Sequence, residues 1–454
     1  MSNVDLVIVG NIVTPDIVIE NGFVSVTDGK ITEIGERFEG SASRTFDAKG
    51  KWVLPGIIDG QVHTGSQAGR EGIGLGTRAA AAGGVTTIVD MPYDSPIPVT
   101  TAEIFKQKVD IVERDAHVDV ALYGTIAKQD GMSEIQPMID AGACGFKVSQ
   151  YETDPKRFAR IAPYDMLEAF RIVAPSGLAC GVHNENQEVV DHAIECVNAS
   201  GNNHYTSYGL SRPPISETLA INEVYEIGVE SRCRAHVVHC SLDRGFEICE
   251  SYKALNYSVS IETCVQYLMF SEEDMAHLGA QIKQGPPIRP SEQKEKLWQR
   301  IAKGHVDFVS SDHVAWSLDR KQKGHFLSNS SGMPGLETLL PAFYTGCVVR
   351  HIPIPVVAKL LSENVAKHFC IYPQKGAIQV GSDADFTVLS PEPFIFDETK
   401  QHGAAEWSPF HGMEMAGQVQ ATFLRGQQVW DGENVLAQAG YGTFVRPQHT
   451  IKSA

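Results

Sequence analysis

The stretch Val53-Leu54-Pro55-Gly56-Ile57-Ile58-Asp59-Gly60-Gln61-Val62-His63 decides the fold of this chain. Its apolar part, Val53–Ile58, predicts a buried β-strand, and two polar side chains, Gln61 and His63, follow soon after it. Residues two apart in an extended chain point to the same side, so Gln61 and His63 face one site. Two ligands of one metal ion need this spacing, although His63 taken alone is also compatible with a buried histidine near a turn.

Seven more apolar runs predict strands, and most of them are separated by a helical pattern. The strands are predicted at Val85–Met91, Val118–Tyr123, Gly145–Val148, Leu178–His183, Ala235–His239, Val259–Glu262 and Val306–Ser310. The helices are predicted at Gly76–Ala82, Ala102–Glu113, Tyr164–Val173, Glu188–Cys196, Glu217–Glu230, Asp243–Leu255 and Ser291–Ala302. This alternation predicts an α/β fold, a (β/α)8 TIM barrel over residues 53–375. A doubly wound open sheet is the rival fold, but no glycine-rich phosphate motif follows a strand.

The two ends of the chain are predicted to form a small β-sandwich beside the barrel. Residues 1–52 contain short β-rich runs cut by turns, such as Phe23–Val26 before Asp28-Gly29. Residues 376–454 follow the same pattern, with Asp385–Leu389 as one strand. Neither end alone has enough strands for a stable sheet, so we expect the two to combine.

Composition excludes several classes of protein. The net charge of the 454-residue chain is −17, and no Lys/Arg-rich block is present, which argues against nucleic acid and anionic membranes as partners. No run of 18 apolar residues predicts a membrane span, and no signal peptide is evident. Nine irregularly spaced cysteines in such a chain indicate reduced thiols and a cytoplasmic location.

Four further candidate residues lie at predicted strand ends, namely Lys147, His183, His239 and Asp312. Because the carboxyl ends of barrel strands meet on one face, these residues and His63 can converge on a metal site. A buried lysine favours its neutral amine, which can take up carbon dioxide as a carbamate that bridges two cations. Asp312 could take a proton from a metal-bound water and pass it to a leaving nitrogen.

Each of these residues also has an ordinary structural interpretation. The histidines could be packed core residues, Lys147 could face solvent, and Asp312 could cap a helix or lie in a solvated loop. His236 and His313 are expected to be packing or supporting residues. What favours chemistry is the order of the candidates, at the ends of strands one, four, five, six and eight.

These motifs resemble the amidohydrolase superfamily, in particular the cyclic amidohydrolases: allantoinases, hydantoinases, dihydropyrimidinases and dihydroorotases. The resemblance spans essentially the whole chain. It rests on the opening stretch together with Gly76–Thr87, Gly145-Phe146-Lys147, His236–Ser241, Pro286-Pro287-Ile288-Arg289, Ser311-Asp312-His313 and Gly381–Phe386. The segment Gly76–Thr87 is most similar to that of allantoinases.

The resemblance implies a hydrolase that opens a C–N bond of a cyclic amide, imide or ureide. Lys147 would be carboxylated and bridge two divalent metal ions, with zinc as the expected ion. His183 and His239 would hold one ion, His63 would hold the other, and Asp312 would be ligand and general base. Members of the family are commonly tetramers, so a homo-oligomer, tetramer or dimer, is expected.

Departures from the family pattern concern one ligand and the loops at the barrel mouth. Gln61 stands where the family has histidine, so it is a weak or absent ligand and one or two metal ions per chain remain open. Val265-Gln266 and Val314-Ala315-Trp316 replace the usual loop residues, which favours a substrate other than allantoin. The predicted substrate-binding residues are Arg70, Gln150, Tyr151, Gln266, Gln284 and Trp316.

Two other functions stay open on the sequence. One is a non-catalytic relative with a structural or assembly role, which loss of a metal ligand would permit. The other is a one-metal hydrolase of an acyclic amide or carbamate. Retention of the remaining candidate ligands favours the cyclic amide hydrolase.

Overall fold

The computed structural model describes residues 3–448 and shows a barrel beside a sheet made from both chain ends. The strands are β1 Asn3–Val13, β2 Val18–Thr27, β3 Lys30–Gly35, β4 Ser41–Pro55, β5 Ile57–Val62, β6 Val85–Asp90, β7 Asp119–Leu122, β8 Gly145–Ser149, β9 Ala179–His183, β10 Arg234–Val237, β11 Val259–Cys264, β12 Phe308–Ser310, β13 Phe386–Ser390, β14 Phe394–Ile395, β15 Glu414–Met415, β16 Gln418–Leu424 and β17 Gln427–Trp430. The α-helices are α1 Gly72–Ala82, α2 Ala102–Asp115, α3 Ile135–Ala141, α4 Pro163–Val173, α5 Gln187–Ser200, α6 Thr206–Ser211, α7 Pro214–Ser231, α8 Asp243–Ala254, α9 Val265–Met269, α10 Met275–Leu278, α11 Ser291–Ala302, α12 Leu339–Val349, α13 Pro355–Ala358 and α14 Asn364–His368.

The eight parallel strands β5 to β12 form the predicted barrel. They pair in two runs, β5-β6-β7 and β8 through β12. The runs join through a parallel bridge between Gly124 and Phe146, and a second bridge between Val62 and His313 closes the ring. Most residues of these strands are buried, because the interior is filled by side chains and helices cover the outside.

The first barrel strand lies later in the chain than predicted. Val53 and its neighbours up to Pro55 complete β4 of the terminal sheet, and β5 starts at Ile57. Gly56 separates the two strands, and its N–H donates to the Asp385 carbonyl oxygen at 2.9 Å. A Cβ at Gly56 would collide with the side chains of Thr86 and Asp385, so the chain passes from sheet to barrel only through a glycine.

The terminal sheet combines the two chain ends, as predicted. Its seven strands have the order β17-β16-β13-β4-β1-β2-β3. The two ends meet where β13 pairs antiparallel with β4, with Val388 opposite Val53. Leu6, Ile8 and Phe423 are among the buried side chains of its core. Positions 1–2 and 449–454 of the two predicted sandwich segments lie outside the described residues.

A buried ion-pair network ties the sheet to the barrel. Lys375 Nζ lies 2.9 Å from carboxylate oxygens of both Asp383 and Asp385 and also contacts Asp119, at the start of β7. Arg425 Nη1 lies 2.6 Å from Asp119. Burial raises the pKa of Asp119, but Lys375 and Arg425 outweigh it and hold that pKa below its usual value.

The structure also bears on membrane-spanning helices and on the state of the cysteines. No helix within residues 3–448 is long and apolar enough to cross a membrane. All nine cysteines are free thiols, and only Cys196 among them is exposed.

Candidate active site

Six of the predicted site residues converge at the mouth of the barrel. They are contributed by β5, β8 and β9 and by the residues that follow β5, β10 and β12. A cavity of about 510 Å³ is lined by all of them: Gln61, His63, Lys147, His183, His239 and Asp312. The structure therefore brings the whole predicted ligand set to one place, as the strand-end pattern indicates.

The Asp312 carboxylate is held by three side chains. Its Oδ1 lies 3.3 Å from His63 Nε2 and accepts a hydrogen bond of 2.8 Å from Gln61 Nε2. Its Oδ2 accepts a hydrogen bond from Gln284 Nε2. Since an ionised carboxylate only accepts, both glutamines must turn their amide N–H groups towards it. Among the described residues, the Oε1 atoms of Gln61 and Gln284 are left buried without a hydrogen-bond partner.

A second pair of donors is formed by two histidines. His183 Nδ1 lies 3.0 Å from His239 Nε2. On its other side, His183 Nε2 lies 2.7 Å from Glu185 Oε2, which also accepts a bond of 2.6 Å from Arg212. The Glu185 carboxylate engages His183 Nε2, so Nδ1 is the nitrogen of His183 that faces His239 and the cavity.

Electrostatics keep His239 in the form that binds metal ions. Burial raises the pKa of Glu185, but Arg212 and His183 outweigh burial and lower that pKa to about 2. Burial, with the charges of Lys147 and His183, lowers the pKa of His239 well below its usual value. His239 is therefore a neutral imidazole, and neutral imidazole is the ligand form of histidine.

Lys147 lies buried in the interior of the barrel, close to both donor pairs. Burial lowers its pKa to about 8, against Asp312 and Glu262, which raise it. Within residues 3–448, its ammonium has no ion-pair partner. With a pKa of about 8, roughly a tenth of the amine is neutral at pH 7, far more than for an ordinary lysine, and the neutral amine is the form that reacts with carbon dioxide.

Glu262 is a site residue that the sequence reasoning missed. It lies in β11, its Oε1 accepts the His239 backbone N–H at 3.3 Å, and burial raises its pKa to about 8, against the charge of Lys147. Glu185 was missed as well. The signals were present, because Glu262 interrupts a buried strand and Glu185 lies two residues after His183, on the same side of the chain.

The predicted substrate-binding residues divide into two groups. Tyr151, Gln284 and Trp316 line the cavity, whereas Arg70, Gln150 and Gln266 do not. The guanidinium of Arg70 binds the carbonyl oxygens of Ala315 and Ala404 and pairs with Glu406. Gln150 is bonded to Glu223 and Asn184, and Gln266 is buried in α9.

The donor set fits divalent cations in two pairs. His63 with Asp312 is one pair, His183 with His239 is the other, and Lys147 interacts electrostatically with both Asp312 and His239. Imidazole nitrogen and carboxylate oxygen are the usual ligands of zinc. The buried oxygen of Gln61, which lacks a partner among residues 3–448, adds a weak neutral donor beside the first pair.

A second group of acidic residues is not a metal site of this kind. In residues 3–448, only Asp119, Asp383 and Asp385 form a set of three histidine, cysteine or carboxylate side chains with ligand atoms within 4.8 Å of one another. Lys375, Arg425 and Lys30 already neutralise these three carboxylates. A cation would have to displace an ammonium and a guanidinium, so this set is a structural ion-pair network.

Comparison with known proteins identifies relatives over almost the whole chain. A family model described as dihydro-orotase-like matches residues 50–154. The chain is 36% identical over 430 residues to an allantoinase of Rubrobacter xylanophilus, covering 94% of each protein. It is 33% identical over 430 residues to an L-hydantoinase of Paenarthrobacter aurescens, covering 93% of each.

Solved structures agree with this relationship. The L-hydantoinase (dihydropyrimidinase) from Arthrobacter aurescens superposes with a TM-score of 0.94 at 33% identity, covering 98% of this chain and 100% of that one. A D-hydantoinase superposes with a TM-score of 0.91 at 28% identity, covering 98% and 99% of the two chains. Similarity of this extent includes both the barrel and the terminal sheet.

Proposed function

Since this chain belongs to the cyclic amidohydrolases, the family of the allantoinases and hydantoinases, we propose that it hydrolyses a C–N bond in the ring of a cyclic amide, imide or ureide. The observation that carries this function is the convergence of two donor pairs and a buried lysine in one cavity at the barrel mouth. That arrangement suits attack by an activated water on a carbonyl carbon.

We further propose which residues hold the metal. His183 and His239 would hold one divalent cation, His63 and Asp312 would hold a second, and Lys147, once carboxylated, would supply an anionic ligand to both. Zinc is the expected ion, because the set combines imidazole and carboxylate ligands. When bound, the cations lower the pKa of a water molecule and polarise the amide carbonyl group.

Asp312 is proposed as the general base and then the general acid. Its carboxylate accepts the proton of the attacking water and returns it to the ring nitrogen when the C–N bond breaks. Gln61 and Gln284 fix the direction of this carboxylate, since each donates to a different oxygen. The remaining acceptor directions of Asp312 are thereby limited to the cavity and to His63.

Gln61 makes the metal position at His63 and Asp312 the weaker one. An amide oxygen binds zinc less strongly than imidazole, and here the amide N–H of Gln61 is already bonded to Asp312. We therefore propose one tightly bound cation, at His183 and His239, and a second that binds weakly. This arrangement retains the activated water while lowering the total metal content.

We also propose that the chain forms a homo-oligomer in the cytoplasm. Leu210, Ile215 and Leu219 on neighbouring helices α6 and α7 are 59%, 52% and 46% exposed, which favours a homo-oligomer through this surface. Light scattering coupled to gel filtration would detect a dimer or tetramer. Free thiols and the absence of basic blocks are consistent with a cytoplasmic enzyme that does not bind nucleic acid.

The test is a substrate panel with the zinc-loaded protein. Hydantoins, dihydropyrimidines, allantoin, cyclic imides and lactams would each be incubated, and ring opening followed by loss of ring absorbance and by mass. We expect at least one ring to open, and Asp312→Asn to slow that reaction greatly. A metal-loaded protein that opens none of these rings, while still folded, would overturn the proposed function.

A further inference from the structure

The cavity at the barrel mouth contains more positive than negative side chains. Apart from Lys147, whose proposed carbamate would be anionic, its charged lining consists of Arg157, Arg212, Lys283 and Arg320 against Glu185 and Asp312. Both carboxylates are already engaged: Glu185 pairs with Arg212 and His183, and Asp312 accepts from two glutamines. Two arginines, Arg157 and Arg320, are left without an ion-pair partner among residues 3–448.

Lys283 does not share this role, because it anchors a loop. Its Nζ donates to the carbonyl oxygens of Leu327 at 2.7 Å and Phe326 at 3.4 Å, and also to that of Asn329. Burial, with the charge of Arg212, lowers the pKa of Lys283 to about 7. The donors of Lys283 are therefore committed to the protein backbone.

Arg157 lies beside the predicted metal residues. Its Nη1 donates to the Tyr93 carbonyl oxygen at 2.8 Å and reaches Ser66 Oγ at 3.5 Å. The Tyr93 ring stacks near that of His63, with 6.4 Å between centroids. The neighbouring Phe158 packs on Tyr93 and on His183, with centroid distances of 3.9 and 5.6 Å. Arg157 is thus held at the edge of the site, and only one of its guanidinium nitrogens is bonded to described residues.

Arg320 enters the same cavity from the loop after β12. Its guanidinium lies 4.1 Å above the Trp316 ring, and its Nε donates to Ser330 Oγ at 3.0 Å. Trp316 is itself fixed, because its indole N–H donates to the Ser331 carbonyl oxygen at 2.7 Å. Both terminal nitrogens of Arg320 are without a hydrogen bond to any residue within 3–448.

The two guanidinium groups line one cavity, and the charge of Arg320 acts on Arg157. Burial lowers the pKa of Arg157, Asp154 raises it, and the charge of Arg320 lowers it again. Among residues 3–448, neither guanidinium forms an ion pair: of the neighbouring acids, Asp154 accepts backbone N–H groups and Asp94 pairs with Lys108. Two like charges facing a cavity cost free energy unless an anion joins them.

On the basis of the proposed function, we propose that the substrate is a cyclic amide bearing a carboxylate, which Arg157 and Arg320 bind. Guanidinium groups present planar pairs of donors that match carboxylate oxygens, and partial burial strengthens such bonds. The carboxylate would lie at the edge of the site, where both arginines enter the cavity from loops. These two residues then determine specificity without taking part in the chemistry.

The test compares two substrates of the same shape and different charge. Hydantoin-5-acetate and hydantoin-5-acetamide would be assayed with the zinc-loaded enzyme, together with the corresponding acid and amide on a dihydropyrimidine ring. We expect kcat/KM for an acid to exceed that of its amide by roughly 10-fold or more, mainly through a lower KM. In the double variant Arg157→Gln with Arg320→Gln, this ratio should fall towards one.

Controls separate charge recognition from folding. Arg244→Gln removes an exposed arginine on α8 that pairs with Glu247, and should leave the ratio unchanged. Arg157→Lys keeps the charge and should retain part of the preference. A wild-type ratio near one, or a ratio that the double variant leaves unchanged, would overturn the inference while leaving the hydrolase function intact.

Failure of the hydrolase function would be recognised separately. If no ring opens, calorimetric binding of hydantoin-5-acetate and hydantoin-5-acetamide to the metal-loaded protein decides the matter. Tighter binding of the acid, lost in the double variant, supports the arginine site. Equal binding of the acid and the amide overturns it.

Discussion

Two buried charged clusters in this chain differ in what they leave unpaired. At the junction of barrel and sheet, Asp119, Asp383 and Asp385 all face Lys375 or Arg425. At the barrel mouth, buried polar atoms remain without a partner among the described residues: Gln61 Oε1, His239 Nδ1, Glu262 Oε2 and Gln284 Oε1. The first cluster is complete in itself, whereas the second is complete only with a ligand.

This difference shows why proximity of carboxylates is a poor guide to a metal site. The junction cluster has the closest set of acidic ligand atoms, yet its charge is already compensated by cations of the protein. The mouth has the neutral imidazole of His239 beside His183, and both rings line a cavity. We expect function where buried ligand atoms have no partner within the protein itself.

The largest expected effect comes from removing the proposed base. Asp312→Asn keeps the shape of the side chain but cannot accept a proton, so kcat should fall roughly 10³- to 10⁴-fold. The melting temperature should change little. Steady-state kinetics on the best ring substrate measure the loss. Asp319→Asn, on the exposed loop after the same strand, is the matched control and should retain full activity.

The junction cluster should respond in stability instead of chemistry. Lys375→Met leaves Asp383 and Asp385 without their common cation, which should cost about 3–5 kcal/mol of unfolding free energy. Urea denaturation measures the change. Lys367→Met removes an exposed lysine paired with Glu363 and should cost about 1 kcal/mol or less. A large loss of zinc from folded Lys375→Met protein would contradict the division between the two clusters.

Glu185 is a buried acid, like those of the junction cluster, but it contacts a candidate metal ligand, His183. Glu185→Gln removes the charge that fixes the proton on His183 Nε2, so zinc affinity should fall roughly 10- to 100-fold. Competition with a chelating dye measures this affinity. Glu188→Gln, on the exposed side of α5, should have no effect. Unchanged affinity in the Glu185 variant would mean that this carboxylate only supports Arg212.

The finest test of the comparison concerns metal stoichiometry. Gln61→His should raise the zinc content of each chain from near one towards two, because imidazole replaces a weak amide donor. Elemental analysis after gel filtration measures the ratio. Combining it with Lys147→Ala should prevent the increase, since the proposed bridge is then lost. A zinc content that Gln61→His does not change would contradict a weakened metal position at His63 and Asp312.

Much of the site follows from local sequence pattern. Apolar strands that end in His63, Lys147, His183, His239 and Asp312 predict a barrel mouth, because parallel strands of a barrel end on one face whatever their loops do. The start of β5 was misplaced, since Val53 belongs to an apolar run that the sheet and barrel share. Pattern alone does not divide a continuous run between two sheets.

The tertiary structure alone decided which neighbours complete the site. Gln61 and Gln284 both donate to Asp312, but they lie 251 and 28 residues away from it in the sequence. The same holds for Arg157 and Arg320, which come from separate loops into one cavity. The face of a strand on which a side chain lies can be read from the sequence, because residues two apart share a face. The orientation of a loop side chain depends on partners that only folding brings near.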